Sequence, residues 1–185
     1  MALEASPAAT DQQLLREALD VLRDSSREIV LLVIASLRSR PSAGAELDDA
    51  FGHEPPPEAF QEALAWNLSV ATERRRALIA ASLTRRDVAR RLAVSPQAVS
   101  DMLERGALIG LKEGREWRIP AWQLDDESPT GVVPGLQRIA SRFPGSVVAL
   151  SLWVAREHPD LDGLTPREAL RRGDVEDVLR LVATI

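Results

Sequence analysis

Ser95, Gln97, Ala98, Ser100, Asp101 and Arg105 fall within one eleven-residue segment of this chain, and Arg85, Lys112, Arg115 and Arg118 flank it. Short polar side chains on one short helix, framed by cations, are the types that meet base edges and phosphates of a duplex. The segment predicts a helix from Pro96 to Arg105. Ser95 can accept from orphan N–H groups, Pro96 suits the first helical position, and Gly106 is a stop. Val99, Met102 and Leu103 face inward, which leaves Gln97, Ala98, Ser100, Asp101, Glu104 and Arg105 outward. A helix presented in this way can lie against base edges in a major groove.

The elements that must hold this helix are legible on either side. Thr84 can cap a preceding helix whose Val88, Ala89 and Leu92 share a face, ended by Val94. Ala89 is small enough for a close crossing, Ala93-Val94 is a tight turn, and Val99 is a branched residue able to pack over the first helix. These are the parts of a helix-turn-helix. Glycine is usual at the turn, so Ala93 costs about 1 kcal/mol if its φ is positive. Beyond it, Leu108 to Lys112 and Trp117 to Ile119 are short apolar-rich runs joined by Glu113-Gly114-Arg115-Glu116, a hairpin wing ended by Pro120. Arg115 belongs at the tip, with Lys112 and Arg118 beside it, where all three can reach phosphates. The competing reading is a helical core subdomain whose cations are merely solvated.

Charge distribution favours the first reading. Between Glu73 and Gln123 eleven Arg or Lys stand against six Asp or Glu, whereas the whole chain carries −5. A basic stretch inside an acidic chain is the footprint of local nucleic-acid contact. Arginine outnumbers lysine 22 to one, a bias better ascribed to base composition of the genome than to mechanism.

With 185 residues and 45% apolar content the chain holds one sizeable core or two small ones. The absence of cysteine excludes disulfides and thiolate metal sites. Only His53 and His158 remain as imidazole ligands, far apart in sequence, so no metal is expected. The Asp and Glu pairs lack a histidine or oxyanion device at a telling spacing, so no enzyme activity is expected. Ile29 to Ala35, the longest apolar run, is too short to cross a bilayer, and Met1 to Thr10 lacks the cationic start of a signal peptide. The cytoplasm is the expected location.

Around the basic segment the chain reads as mainly helical. Thr10 or Asp11 opens a helix, Ser25 with Glu28 has capping-box spacing, and Glu28 to Leu37 continues as an apolar element, a helix with strand as the lesser alternative, that either forms a dimer surface or roofs the chain's own core. Arg40 to Glu58, with Pro55 to Pro57, is a stiff acidic linker. Glu58 to Ser82 predicts one long helix carrying Arg74, Arg75 and Arg76. Asp125 to Pro129 is an acidic break. Val132, Val133 and Leu136 lead into a helix to about Phe143, and another runs from Val147 to Arg156. His158 to Leu164 is a turn, Thr165-Pro166-Arg167-Glu168 is a capping box for a helix closed by Gly173, and Asp174 should cap a last helix with Val175, Val178, Leu179 and Val182 as its stripe.

Ser151 to Val182 resembles the toxin-binding domain of bacterial antitoxins of the Xre/MbcA/ParS type, on Trp153, Leu161, Asp162, Gly163, Thr165, Pro166, Leu170, Gly173 and Asp174 in that order. The preceding helix-turn-helix, with a wing reading WRIPAWQ, is similar to extended members of that group and to excisionase or MerR-like winged domains. The resemblance covers Glu73 to Ile185 and leaves Met1 to Pro57 outside. It implies an antitoxin that represses its own operator and masks a cognate toxin, with Trp153, Leu161, Gly163, Thr165, Pro166, Leu170, Gly173, Asp174 and Val178 in the toxin-binding segment. Toxins paired with this family are commonly RES-type proteins that consume NAD. The chain itself has no Gly-rich phosphate loop, and no cofactor is expected.

The expected architecture is therefore a mainly α chain in three parts: a helical region and linker over 1–57, a winged helix-turn-helix over 58–127, and a helical toxin-binding subdomain over 128–185. Operator duplex DNA, a cognate toxin and a second copy of the chain are the expected partners, because a single helix-turn-helix reads few base pairs and a symmetric dimer reads a palindrome. The alternative is a stand-alone winged-helix regulator or an excisionase-like accessory factor.

Overall fold

The computed structural model describes residues 57–185, with side chains from Trp66 onward. The expected helices between Thr10 and Leu37, the linker from Arg40 and His53 lie outside these residues. The described part is mainly helical, with seven α-helices and one small antiparallel sheet. The chain divides into two compact units between Arg74 and Arg75, inside the long helix α1 (Pro57–Ala80).

Helix α1 stops two residues before the expected Ser82, because Ser82 to Thr84 is not helical but forms strand β1 (Ser82–Thr84). Thr84 then caps α2 (Arg85–Arg91), and Ser95 caps α3 (Pro96–Glu104), both as expected. The hairpin follows as β2 (Leu111–Glu113) and β3 (Glu116–Pro120), with Glu113 opposite Glu116 and Gly114, at φ +60°, in the loop. The three strands run in the order β1, β3, β2, all antiparallel, with Leu83 paired to the buried Ile119.

Leu108 and Ile109, expected in the first strand of the hairpin, are outside it. The backbone N–H and C=O of Ile109 are bonded instead by the buried side chain of Gln123, whose Oε1 accepts at 2.8 Å and whose Nε2 donates at 2.7 Å. A side chain has taken the place of a ladder partner.

The remaining elements are a 3-10 turn (Ala121–Gln123), α4 (Leu136–Arg142), α5 (Val147–Trp153), a second 3-10 turn (Pro159–Leu161), α6 (Pro166–Arg172) and α7 (Val175–Val182). Helix α5 is shorter than expected. The Val154 carbonyl accepts from Arg167 N–H, so it is unavailable for a further helical turn. Thr165 makes its capping box with Glu168, and Gly173, at φ +95°, closes α6. Asp174 stands at the head of α7 but makes no side-chain cap bond, contrary to expectation. The Asp174 N–H is drawn back to the Ala169 carbonyl as part of the α6 terminus, and its ψ of 45° is not the extended one that an N-cap adopts.

Two apolar clusters fill the unit Arg75–Ile185. One joins Val88, Ala89, Val99, Leu108 and Ile119 to Leu124, Val132 and Leu136. The other gathers Ile139, Leu150, Leu170, Val178 and their neighbours from α4 to α7. Ile109 and Trp122 pack against both. Val132 and Leu136, from beyond residue 127, belong to the same cluster as Val88, Ala89 and Val99 of α2 and α3.

Candidate nucleic-acid interface

The pair α2 and α3 is set by local hydrogen bonds. The Thr84 hydroxyl accepts from Asp87 N–H at 3.2 Å, and the Asp87 carboxylate accepts from Thr84 N–H at 3.3 Å. The Thr84 hydroxyl also donates to Asp87 Oδ2 at 2.6 Å, and that bond first, then the one from Thr84 N–H, hold the Asp87 carboxyl below the usual carboxylate range. At the other end, Val94 N–H donates to Ala89 O at 2.9 Å and Ala93 N–H to Arg90 O at 3.3 Å, while Ala93 sits at φ +53°. This is a Schellman terminus with alanine in the left-handed position. The Ser95 hydroxyl accepts from Ala98 N–H at 3.1 Å and starts α3 at once. Val99, fully buried, locks α3 over Ala89 and Val88.

On the outer side of α3, Gln97, Asp101, Glu104 and Arg105 are exposed, whereas Ala98 and Ser100 are half-buried. Gln97 Nε2 donates to Asp101 Oδ1 at 2.9 Å. Ser100 Oγ donates to Pro96 O at 3.2 Å and accepts from Arg85 Nη1 at 3.0 Å. Ser100 is thus occupied within the protein, and Arg85 is drawn across the start of α3. The Arg105 carbonyl accepts from Gln137 Nε2 at 2.7 Å, which fixes the end of α3 while its own side chain points out.

The hairpin cations separate into three situations. Arg118 is bound inside the hairpin, to Glu113 at 2.7 Å and Glu116 at 3.9 Å. Lys112 lies over the Trp117 ring at 5.1 Å, and its carbonyl accepts from Arg75 Nη2. Arg115, fully in the loop and exposed, makes no hydrogen bond or ion pair with any described residue.

Sequence reasoning did not foresee the acidic break as a hub. Asp126 receives both Nε and Nη2 of Arg91 at 2.9 Å, which holds its carboxyl below the usual range. Arg171 Nε reaches the buried Asp125 at 3.1 Å, and its Nη2 reaches Glu127 at 3.1 Å. The partners are 35 and 46 residues apart, a separation that carries no periodic signal.

The C-terminal candidates do not form one surface. Leu161, Pro166, Leu170 and Val178 are buried, Leu170 and Val178 completely, and shape the bundle. Trp153 is half-buried against Phe143, ring centroids 5.4 Å apart, and its neighbour in the chain, Leu152, is the exposed one. Gly163, Thr165, Gly173 and Asp174 lie at the surface or partly so, around the turns that bound α6. Asp162 and Gly163 both have positive φ, 55° and 79°, in the turn that leads to the Thr165 box.

Among the described residues no group of His, Asp and Glu could hold a metal ion, and no helix is long and apolar enough to cross a membrane. Compared with protein-family models, curated proteins and solved structures, the chain finds no match in any of the three.

Proposed function

We propose that the chain is a DNA-binding regulator of the winged helix-turn-helix kind, and that it acts as the antitoxin of a toxin-antitoxin pair. The observation that carries the DNA half is the joint geometry of α3 and the hairpin. A capped helix with a polar outer face is followed by a loop that carries the exposed Arg115, without an ion-pair partner among the described residues. In this reading α3 lies in the major groove and Arg115 meets the adjacent phosphates, with Arg85 at the start of α3 as a second phosphate contact. Ser95 and Ala98 belong to the leading edge of α3, Gln97 and Asp101 to its base-reading face, Arg105 to its trailing end, and Lys112 to the flank of the wing. A homodimer on a palindromic operator supplies the affinity that one such module lacks.

The toxin half rests on the order of turns from Trp153 to Asp174 that resembles the Xre/MbcA/ParS domain. Because the apolar members of that pattern are buried, toxin contact falls to the exposed rims of α5 to α7, with a RES-type, NAD-consuming toxin as the expected partner. Burial of Leu161, Leu170 and Val178 also supports a second reading, a stand-alone regulator whose last helices only complete the core. The two part on one experiment: induction of the protein encoded beside this chain, with and without it. Growth arrest relieved by the chain, together with a co-purified complex, is expected of an antitoxin. A neighbour that is harmless alone and does not bind leaves the regulator.

A further inference from the structure

We infer that Asp101, held in place by Gln97, makes this protein select a cytosine in the major groove; the inference rests on the DNA-binding reading of α3. Gln97, Asp101 and Glu104 stand at helical positions i, i+4 and i+7, on one exposed face. Only the amide NH2 of Gln97 can donate to a carboxylate, so its 2.9 Å bond to Asp101 Oδ1 fixes both side chains. Among the described residues, the oxygens of this exposed pair left without a hydrogen bond are Asp101 Oδ2 and Gln97 Oε1, both acceptors. Ser100, the other small polar residue of this face, has its hydroxyl proton on Pro96 O and a lone pair on Arg85. It has no donor left with which to balance them.

A carboxylate carried toward a polyanion is repelled by the phosphates and loses water on contact, so it is tolerated only where a donor meets it. In the major groove guanine offers O6 and N7 and thymine offers O4, all acceptors, which Asp101 repels. Adenine offers N6–H beside the acceptor N7. Cytosine offers its N4 amino group with no acceptor beside it, and is the base that a fixed carboxylate accepts from best. Arg85, bound to Ser100 and not to Asp101, remains a sequence-blind cation at the start of the same helix.

The test is selection of the full chain on a randomised duplex library at fixed salt, followed by affinity measurements on the selected duplex and on random duplex. The native chain should enrich a cytosine at one position of each half-site. Asp101→Ala should lose that enrichment, bind the selected duplex about tenfold to a hundredfold more weakly, and bind random duplex more tightly, since a repelling charge has gone. Asp101→Asn should move the preference at that position toward adenine. Arg85→Ala should weaken both duplexes with the preference intact. Identical base preferences in the native, Asp101→Ala and Asp101→Asn chains, all bound and folded by circular dichroism, would overturn the inference while leaving DNA binding standing. Absence of any enriched duplex with the native chain would overturn both.

Discussion

Arg115 and Arg118 differ by three positions and look alike as sequence, yet the hairpin pairs Arg118 with Glu113 and Glu116, whereas Arg115 has no carboxylate partner among the described residues. Local spacing could place both cations on a wing, but only cross-strand pairing decides which has a carboxylate beside it. Arg115→Ala should therefore weaken binding to every duplex sequence alike and reduce the slope of log K against log salt by about one. Arg118→Ala should leave that slope unchanged, a contrast readable by fluorescence anisotropy over a salt series. Gln123 is the other residue whose role was invisible beforehand, because its partners are the backbone groups of Ile109, fourteen positions away. Gln123→Leu keeps the volume and strands both groups, and should cost about 2 kcal/mol in denaturant unfolding.

Helix starts were the most legible elements, since Thr84, Ser95 and Thr165 bond to N–H groups three residues on, within a window that sequence can encode. Strand β1 was not legible: three residues become a strand only because β3 has an edge to offer. Helices α2 and α6 end in the same pair of backward hydrogen bonds, with Ala93 in one turn and Gly173 in the other. Ala93→Gly removes the penalty of a Cβ at φ +53° and should raise stability by up to about 1 kcal/mol, seen as an increase in Tm with no change in DNA preference. Acid should act through the same local devices. Asp87 and Glu168 are held low by bonds from Thr84 and Thr165, and Asp126 and Glu176 by bonds from Arg91 and Arg138. A carboxyl lowered in the folded state adds stability that is present above its unfolded value and is lost as pH falls through the folded one. Thermal stability should thus be level at neutral pH and decline below about pH 4, and Asp126→Asn should make that decline shallower.

At the scale of the molecule, Arg75 to Ile185 is one compact unit. Trp122 Nε1 donates to Ser151 Oγ at 2.9 Å, Arg167 Nε to Trp122 O at 2.9 Å, and Arg171 grips Asp125 and Glu127, so α5 and α6 are built onto the segment that follows the hairpin. None of these contacts has a sequence period, and an acidic, proline-containing stretch reads as a linker when its arginine partners are out of sight. A chain cut after Leu124 loses Val132 and Leu136 from the core that supports α3. It should show no cooperative thermal transition and no specific DNA binding, whereas a stand-alone winged domain would keep both.

Reading of duplex DNA by α3 and the hairpin loop together is the proposal on which the other DNA predictions stand. Its most direct test is equilibrium binding of the full chain to a library-selected duplex and to random duplex, titrated side by side across a salt series. The selected duplex should bind at least about a thousandfold more tightly than random duplex, with affinity falling steeply as salt rises. Equal affinity for both duplexes, or no binding at low salt, would contradict it.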